Sequence, residues 1–110
     1  MKKILLISSC LFGFLTACQD DLILCGVVKI YAESKIDEIR IYSFDDTSNP
    51  IHTLLCGGSR EASQELNIGN YKLSGYSYNG YLSSVTFQVR PGKTVVIEYN
   101  ENNIGEVISN

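Results

Sequence analysis

The sequence predicts an all-β protein, a single small Greek-key β-sandwich of about seven strands, and three observations predict it. From Leu22 onward, apolar residues recur with a period of two rather than 3.6, as half-buried strands require. The apolar runs are short and closely punctuated by Gly, Pro, Asn and Asp, the spacing of a sandwich. A helix is possible over residues 60–66, but it would be short and lacks the two-turn apolar stripe on which a stable helix depends.

Residues 22–31 are mostly apolar, include β-branched side chains and form the first expected strand. The polar stretch 32–35 connects it to residues 36–44, where Ile39 and Ile41 point one way and Arg40, Tyr42 and Phe44 the other. Residues 45–50 are a loop, because short polar side chains bond their own backbone and Pro50 cannot donate to a ladder. Residues 51–56 are a short strand stopped by Gly57-Gly58-Ser59, and a polar loop from Arg60 leads into another at 64–68. Strands follow at 71–78, 82–90 and 94–99, and Ile104, Val107 and Ile108 supply a short edge strand. Asn79-Gly80 favours a tight reversal of the primed type. Arg90-Pro91-Gly92-Lys93 places proline and glycine at the centre of a type II turn, where one needs fixed φ and the other positive φ.

Ahead of this domain, Lys2 and Lys3 precede an apolar run over residues 4–15, interrupted only by Ser8, Ser9 and Gly13. A helix needs about 20 apolar residues to cross a hydrocarbon core roughly 30 Å thick, so this run has instead the length and flanks of a cleaved export signal. It ends in Leu15-Thr16-Ala17-Cys18, an apolar residue, two small ones and a cysteine. That segment resembles the processing site of bacterial lipoproteins, cut between Ala17 and Cys18. The resemblance implies a diacylglyceryl group on the Cys18 sulfur and an acylated new amino terminus. Only a thiolate is nucleophilic enough for the first step near neutral pH. At about 0.8 kcal/mol per buried methylene, three chains anchor permanently. The expected organisation is a signal peptide over 1–17, a lipidated tether over 18–21 and the sandwich over 22–110. Gln19 stands where an inner-membrane retention signal would have aspartate, which implies a lipid-anchored outer-membrane protein facing the periplasm or the surface. Asp20-Asp21 reads either as a surface-export signal or as a solvated tether.

Removing residues 1–17 from the 110 leaves 93, with 7 basic against 12 acidic residues and a net charge of −5. The basic residues are scattered singly, which excludes the concentrated cationic surface that nucleic acid requires. With Cys10 in the signal and Cys18 lipidated, Cys25 and Cys56 remain, and an oxidising envelope compartment suggests a disulfide between them. It would close a loop of about 30 residues and contribute roughly 3–4 kcal/mol in the chain-entropy model. The alternative is two buried free cysteines that behave as small apolar residues.

Residues 66–73, Leu66-Asn67-Ile68-Gly69-Asn70-Tyr71-Lys72-Leu73, follow an L-x-x-G-x-Y-x-L pattern. A Gly80-Tyr81 pair comes nine residues beyond Tyr71, and Pro91-Gly92-Lys93-Thr94 closes the next strand. Together these resemble carboxypeptidase-regulatory-like, or transthyretin-like, β-sandwich domains, over about residues 66–99. The physical content of the motif is a tyrosine corner: glycine turns the chain into a strand, and Tyr71 folds onto the core with its hydroxyl on a nearby backbone group. The resemblance implies an accessory module without catalysis. Small outer-membrane lipoproteins of type VI secretion machines share this architecture.

Catalytic patterns are missing. His52 is the sole histidine, no Gly-x-Ser-x-Gly elbow accompanies it, and no C-x-x-C spacing or phosphate-binding glycine loop occurs. The oxygen-rich loop from Asp45 fails as a calcium site, with Pro50 in place of the required glycine and Cys56 in place of the bidentate glutamate. The expectation is a protein with neither metal, cofactor nor enzymatic activity.

Tyr76, Tyr78 and Tyr81 crowd around the Asn79-Gly80 turn, with Tyr76 and Tyr78 expected on the outward face. Exposed aromatics mark contacts with protein or sugar. Cross-strand packing, or a bulge at Gly75 that turns the pair inward, are the other readings. The sequence therefore points to a membrane-attached interaction or structural module that holds another envelope protein, in an assembly such as a secretion apparatus. A carbohydrate- or ligand-binding surface lipoprotein is the alternative.

Overall fold

The computed structural model describes residues 24–109. The expected signal peptide, the tether and Cys18 lie outside the described residues. Eight strands, β1 (Cys25–Ala32), β2 (Ile36–Ser43), β3 (His52–Leu55), β4 (Glu61–Asn67), β5 (Gly69–Ser77), β6 (Gly80–Val89), β7 (Thr94–Tyr99) and β8 (Gly105–Ser109), form a β-sandwich. One sheet has the order β4-β1-β7-β8 and the other β3-β2-β5-β6. Neighbouring strands run antiparallel except β1 and β7, which pair in parallel. The eighth strand is the edge segment around Val107. Strand β4 starts earlier than its apolar residues suggest, because Ala62 and Gln64 pair with Ile30 and Val28 of β1.

Alternation puts Val28 and Ile30 of β1, Ile39 and Ile41 of β2, Leu73 of β5, and Val95, Ile97 and Tyr99 of β7 between the sheets. Strict alternation would fail in two strands, and a β-bulge restores the phase in each. In β2, Asp37 is the extra residue between Ile36 and Glu38, so Ile36 and Ile39 both reach the core. In β6, the register skips from Leu82 to Val85 opposite Gly75 and Leu73, so Leu82 joins Val85, Phe87 and Val89 inside. The second bulge also releases the backbone of Ser83 from its ladder. The Ser83 amide donates to the Asn103 carbonyl at 2.9 Å, and its carbonyl accepts from the buried Tyr99 hydroxyl at 2.7 Å. These bonds tie β6 to the other sheet.

Two turns match their chemistry closely and one does not. Gly92 has φ +67°, and Lys93 donates to the Arg90 carbonyl at 3.1 Å, as a type II turn requires. Tyr71 packs on Phe87 at 5.7 Å between ring centroids and donates to the Asn67 carbonyl at 2.7 Å, which is the tyrosine corner. The β5–β6 reversal is centred on Tyr78-Asn79, with Ser77 opposite Gly80. Neither central residue has the positive φ of a primed turn, because the side chains of Ser77 and Asn79 bond the tip directly.

The expected Cys25–Cys56 disulfide is not formed. Cys56 is a free, half-buried cysteine just beyond β3 whose thiol lies 3.6 Å from the Leu54 carbonyl. Cys25 opens β1 opposite Asn67, whereas the Cys56 amide bonds Asp37 at the start of β2, near the other end of the molecule and in the other sheet. Some six residues of strand, about 20 Å, lie between those levels, while bridged cysteines have Cα atoms within about 7 Å.

Candidate contact surface

The two ends of the sandwich differ. The chain enters at the proximal end, where Leu24, the Asn67–Gly69 turn and the Arg90–Lys93 turn meet through Ile68 N–H to Leu24 O (2.8 Å) and Gly92 N–H to Cys25 O (2.7 Å). The distal end holds the β1–β2 turn, the β5–β6 tip and the Asn100–Asn103 turn. Strand β5 runs between them from Gly69 to Ser77, a length of about 26 Å at 3.3 Å per residue.

Near the distal end, the outward face of the β3-β2-β5-β6 sheet carries one continuous cross-strand row, Leu55–Glu38–Tyr76–Tyr81. Its outer members are strongly exposed, Leu55 at 82 % and Tyr81 at 78 %. The Tyr76 and Tyr81 rings pack with centroids 5.2 Å apart and planes inclined by 51°. The Arg40 guanidinium lies over the Tyr76 ring, 5.1 Å from its centroid, and is ion-paired with Glu38. Hydrogen bonding by Glu38 first, and then by Tyr42, holds Arg40 still more firmly protonated than usual. A shallow cleft of about 240 Å³ opens beside the rings, with Ser74 and Ser84 on its walls.

This surface rests on a polar network. Asn79 donates its amide N–H to Ser77 Oγ at 3.2 Å and its Nδ2 to Ser34 Oγ at 3.2 Å, and its Oδ1 accepts from Asn103 Nδ2 at 2.9 Å. Ser77 and Asn103 are buried. Side chains from three turns are thereby fixed together, so the hairpin tip is held before any partner arrives. Asn103 itself adopts φ +62°, a conformation asparagine tolerates better than most residues.

Of the three tyrosines singled out in the sequence, the structure joins Tyr76 and Tyr81 and separates Tyr78. Gly75 stays inside the sheet and does not turn Tyr76 inward. Tyr78 is 61 % exposed, and its hydroxyl end lies against Gly58, 3.1 Å from where a Cβ there would stand. Sequence reasoning missed Leu55 and Glu38, which join the row only because β3 and β5 flank β2. The outward direction of Arg40 was legible, but not its seat on Tyr76. His52 lies on β3 opposite Ile41. Among the described residues, no three His, Cys, Asp or Glu side chains are grouped to hold a metal ion. No protein-family model matches this chain, and no curated protein is similar to it.

Proposed function

We propose that this chain is a non-enzymatic lipoprotein, anchored to the outer membrane through Cys18, that holds another envelope protein against the Tyr76–Tyr81 face. The observation that carries this reading is the separation of the two ends. The chain leads toward Cys18 from the proximal end, while the exposed row Leu55–Glu38–Tyr76–Tyr81 lies near the distal one. An anchor at one end and an aromatic patch near the other suit a protein that presents a surface away from its membrane. Aromatic residues with a neighbouring arginine are the side chains that most often dominate contact energy. A transthyretin-like relationship is part of this proposal, supported by the corner at Tyr71 and the turn at Pro91-Gly92.

A photoreactive residue in place of Tyr81, in cells, should form an adduct with a defined envelope protein. The same probe in place of Lys29, on the outward face of the other sheet, should not. Tyr76→Ser/Tyr81→Ser should reduce capture by an order of magnitude and leave the β-rich circular dichroism spectrum unchanged. Equal adducts from both faces, or undiminished capture, would place the contact elsewhere. The cleft beside Ser74 and Ser84 favours carbohydrate as the second reading, which binding to a glycan array would support.

A further inference from the structure

We infer that the proximal end is a membrane seat, an apolar surface formed by Leu24, Phe44 and Ile68 that rests on the acyl boundary of the bilayer. This rests on the reading of Cys18 as the lipid anchor. Leu24, Phe44 and Ile68 are 42 %, 56 % and 42 % exposed. They belong to three segments far apart in sequence, yet backbone bonds bring them to one end: Ile68 N–H bonds Leu24 O at 2.8 Å, and Phe44 N–H bonds the carbonyl of Asn70, two residues beyond Ile68, at 3.0 Å. Beside Phe44 a depression of about 300 Å³ reaches down to Tyr71 and Phe87.

The occupant follows from the length of the chain. Cys18 precedes Leu24 by six residues, which span at most about 20 Å even when fully extended. A lipid at Cys18 therefore keeps this end within reach of the headgroups, and the nearest apolar medium is the bilayer itself. Arg90 and Lys93 flank the patch on one side, Asp45 and Asp46 follow Phe44 on the other, and the tether adds Asp20 and Asp21, so this end presents no net positive charge to the membrane. The seat then works by apolar burial and is insensitive to salt, unlike a polybasic surface. Seating would fix the long direction of β5 relative to the membrane and hold the Tyr76–Tyr81 face at a set height.

The chain contains no tryptophan, so a single indole reports its own position. Lipidated mature protein carrying Phe44→Trp or, as the distal control, Tyr81→Trp is reconstituted into phosphatidylethanolamine–phosphatidylglycerol vesicles containing acyl-brominated lipid. Bromolipid quenching should be at least threefold stronger for Phe44→Trp than for Tyr81→Trp and equal at low and high salt. Adding Leu24→Ser and Ile68→Ser should bring it down to the control. Quenching by aqueous acrylamide alone places this end in water and overturns the seat. Shielding from both quenchers means that protein, such as a second copy, covers it, and overturns the seat equally. Salt-sensitive quenching would overturn the apolar mechanism. Flotation with the vesicles is scored separately. A processed chain that does not float removes the anchor and the seat together, whereas one that floats with equal quenching at both positions removes the seat alone.

Discussion

The Tyr71 hydroxyl donates to the carbonyl of Asn67, four residues back, at 2.7 Å, and so bridges the turn between β4 and β5. The ring lies in the core against Phe87 while the hydroxyl satisfies a backbone acceptor beside the exposed Ile68. Tyr71→Phe keeps the packing and leaves that carbonyl without its donor. The expected cost is on the order of 1 kcal/mol, read as a lower urea midpoint with an unchanged slope. An unchanged midpoint would reduce Tyr71 to one more packed ring.

Gly75 permits the close approach of β5 to β2. A Cβ there would stand 2.2 Å from the Glu38 carbonyl oxygen and 3.0 Å from the Ile39 Cα, and both neighbours are backbone in the middle of the sheet. Gly75→Ala should therefore destabilise the fold by about 2–3 kcal/mol or more, in the range of overpacking mutations. Ser74→Ala, one residue earlier and half-buried, should change stability by less than about 0.5 kcal/mol. Equal melting temperatures for the two variants would contradict the observed register.

Burial raises the Tyr99 hydroxyl far above its ordinary value and raises Tyr71 in the same direction. Above about pH 10 the unfolded chain releases the Tyr99 proton while the folded chain keeps it, so unfolding becomes coupled to proton loss. Stability is fully present below pH 10 and falls above it, by up to about 1.4 kcal/mol per pH unit from Tyr99 alone. Denaturant midpoints at pH 8, 10 and 11 should show this decline, and Tyr99→Phe should flatten it. An equally steep decline in the variant would assign it to other groups.

Burial first, and the Asp37 carboxylate second, raise the Cys56 thiol above its usual value. At pH 8 less of it is thiolate than in the unfolded chain, so iodoacetamide should modify Cys56 more slowly in the native than in the denatured protein. Asp37→Asn should recover part of that rate. Mass spectrometry should find Cys56 alkylated without prior reduction, and a Cys25–Cys56 linked peptide would contradict the free thiol.

Much of this molecule is legible in local pattern. The sequence predicts the bounds of β7 to the residue, since Pro91-Gly92 marks the preceding turn and the apolar, β-branched run ends at Tyr99 before a polar stretch. The corner at Tyr71 is legible because its acceptor is only four residues away. The expected β5–β6 reversal exists, yet its type differs because the side-chain bonds of Ser77 and Asn79 outweigh the glycine preference. The bulges at Asp37 and at Ser83-Ser84 are not placed by local pattern. The odd spacings Ile36–Ile39 and Leu82–Val85 break the alternation without showing which residue leaves the ladder, and only the pairing with β5 does.

By itself, the sequence determined the all-β class, most strand positions, the corner, the type II turn and the shared face of Ile39 and Ile41, since all depend on contacts within a few residues or on alternation. Only the tertiary structure decided which strands are neighbours. The parallel pairing of β1 with β7 and the placing of β2 between β3 and β5 join residues tens of positions apart, and no local propensity encodes such distances. That placement keeps Cys25 and Cys56 apart and aligns Leu55, Glu38, Tyr76 and Tyr81 in one row. Side chains read outward or inward from their own strand, but a surface is made of several strands, and their order is settled by packing of the whole core.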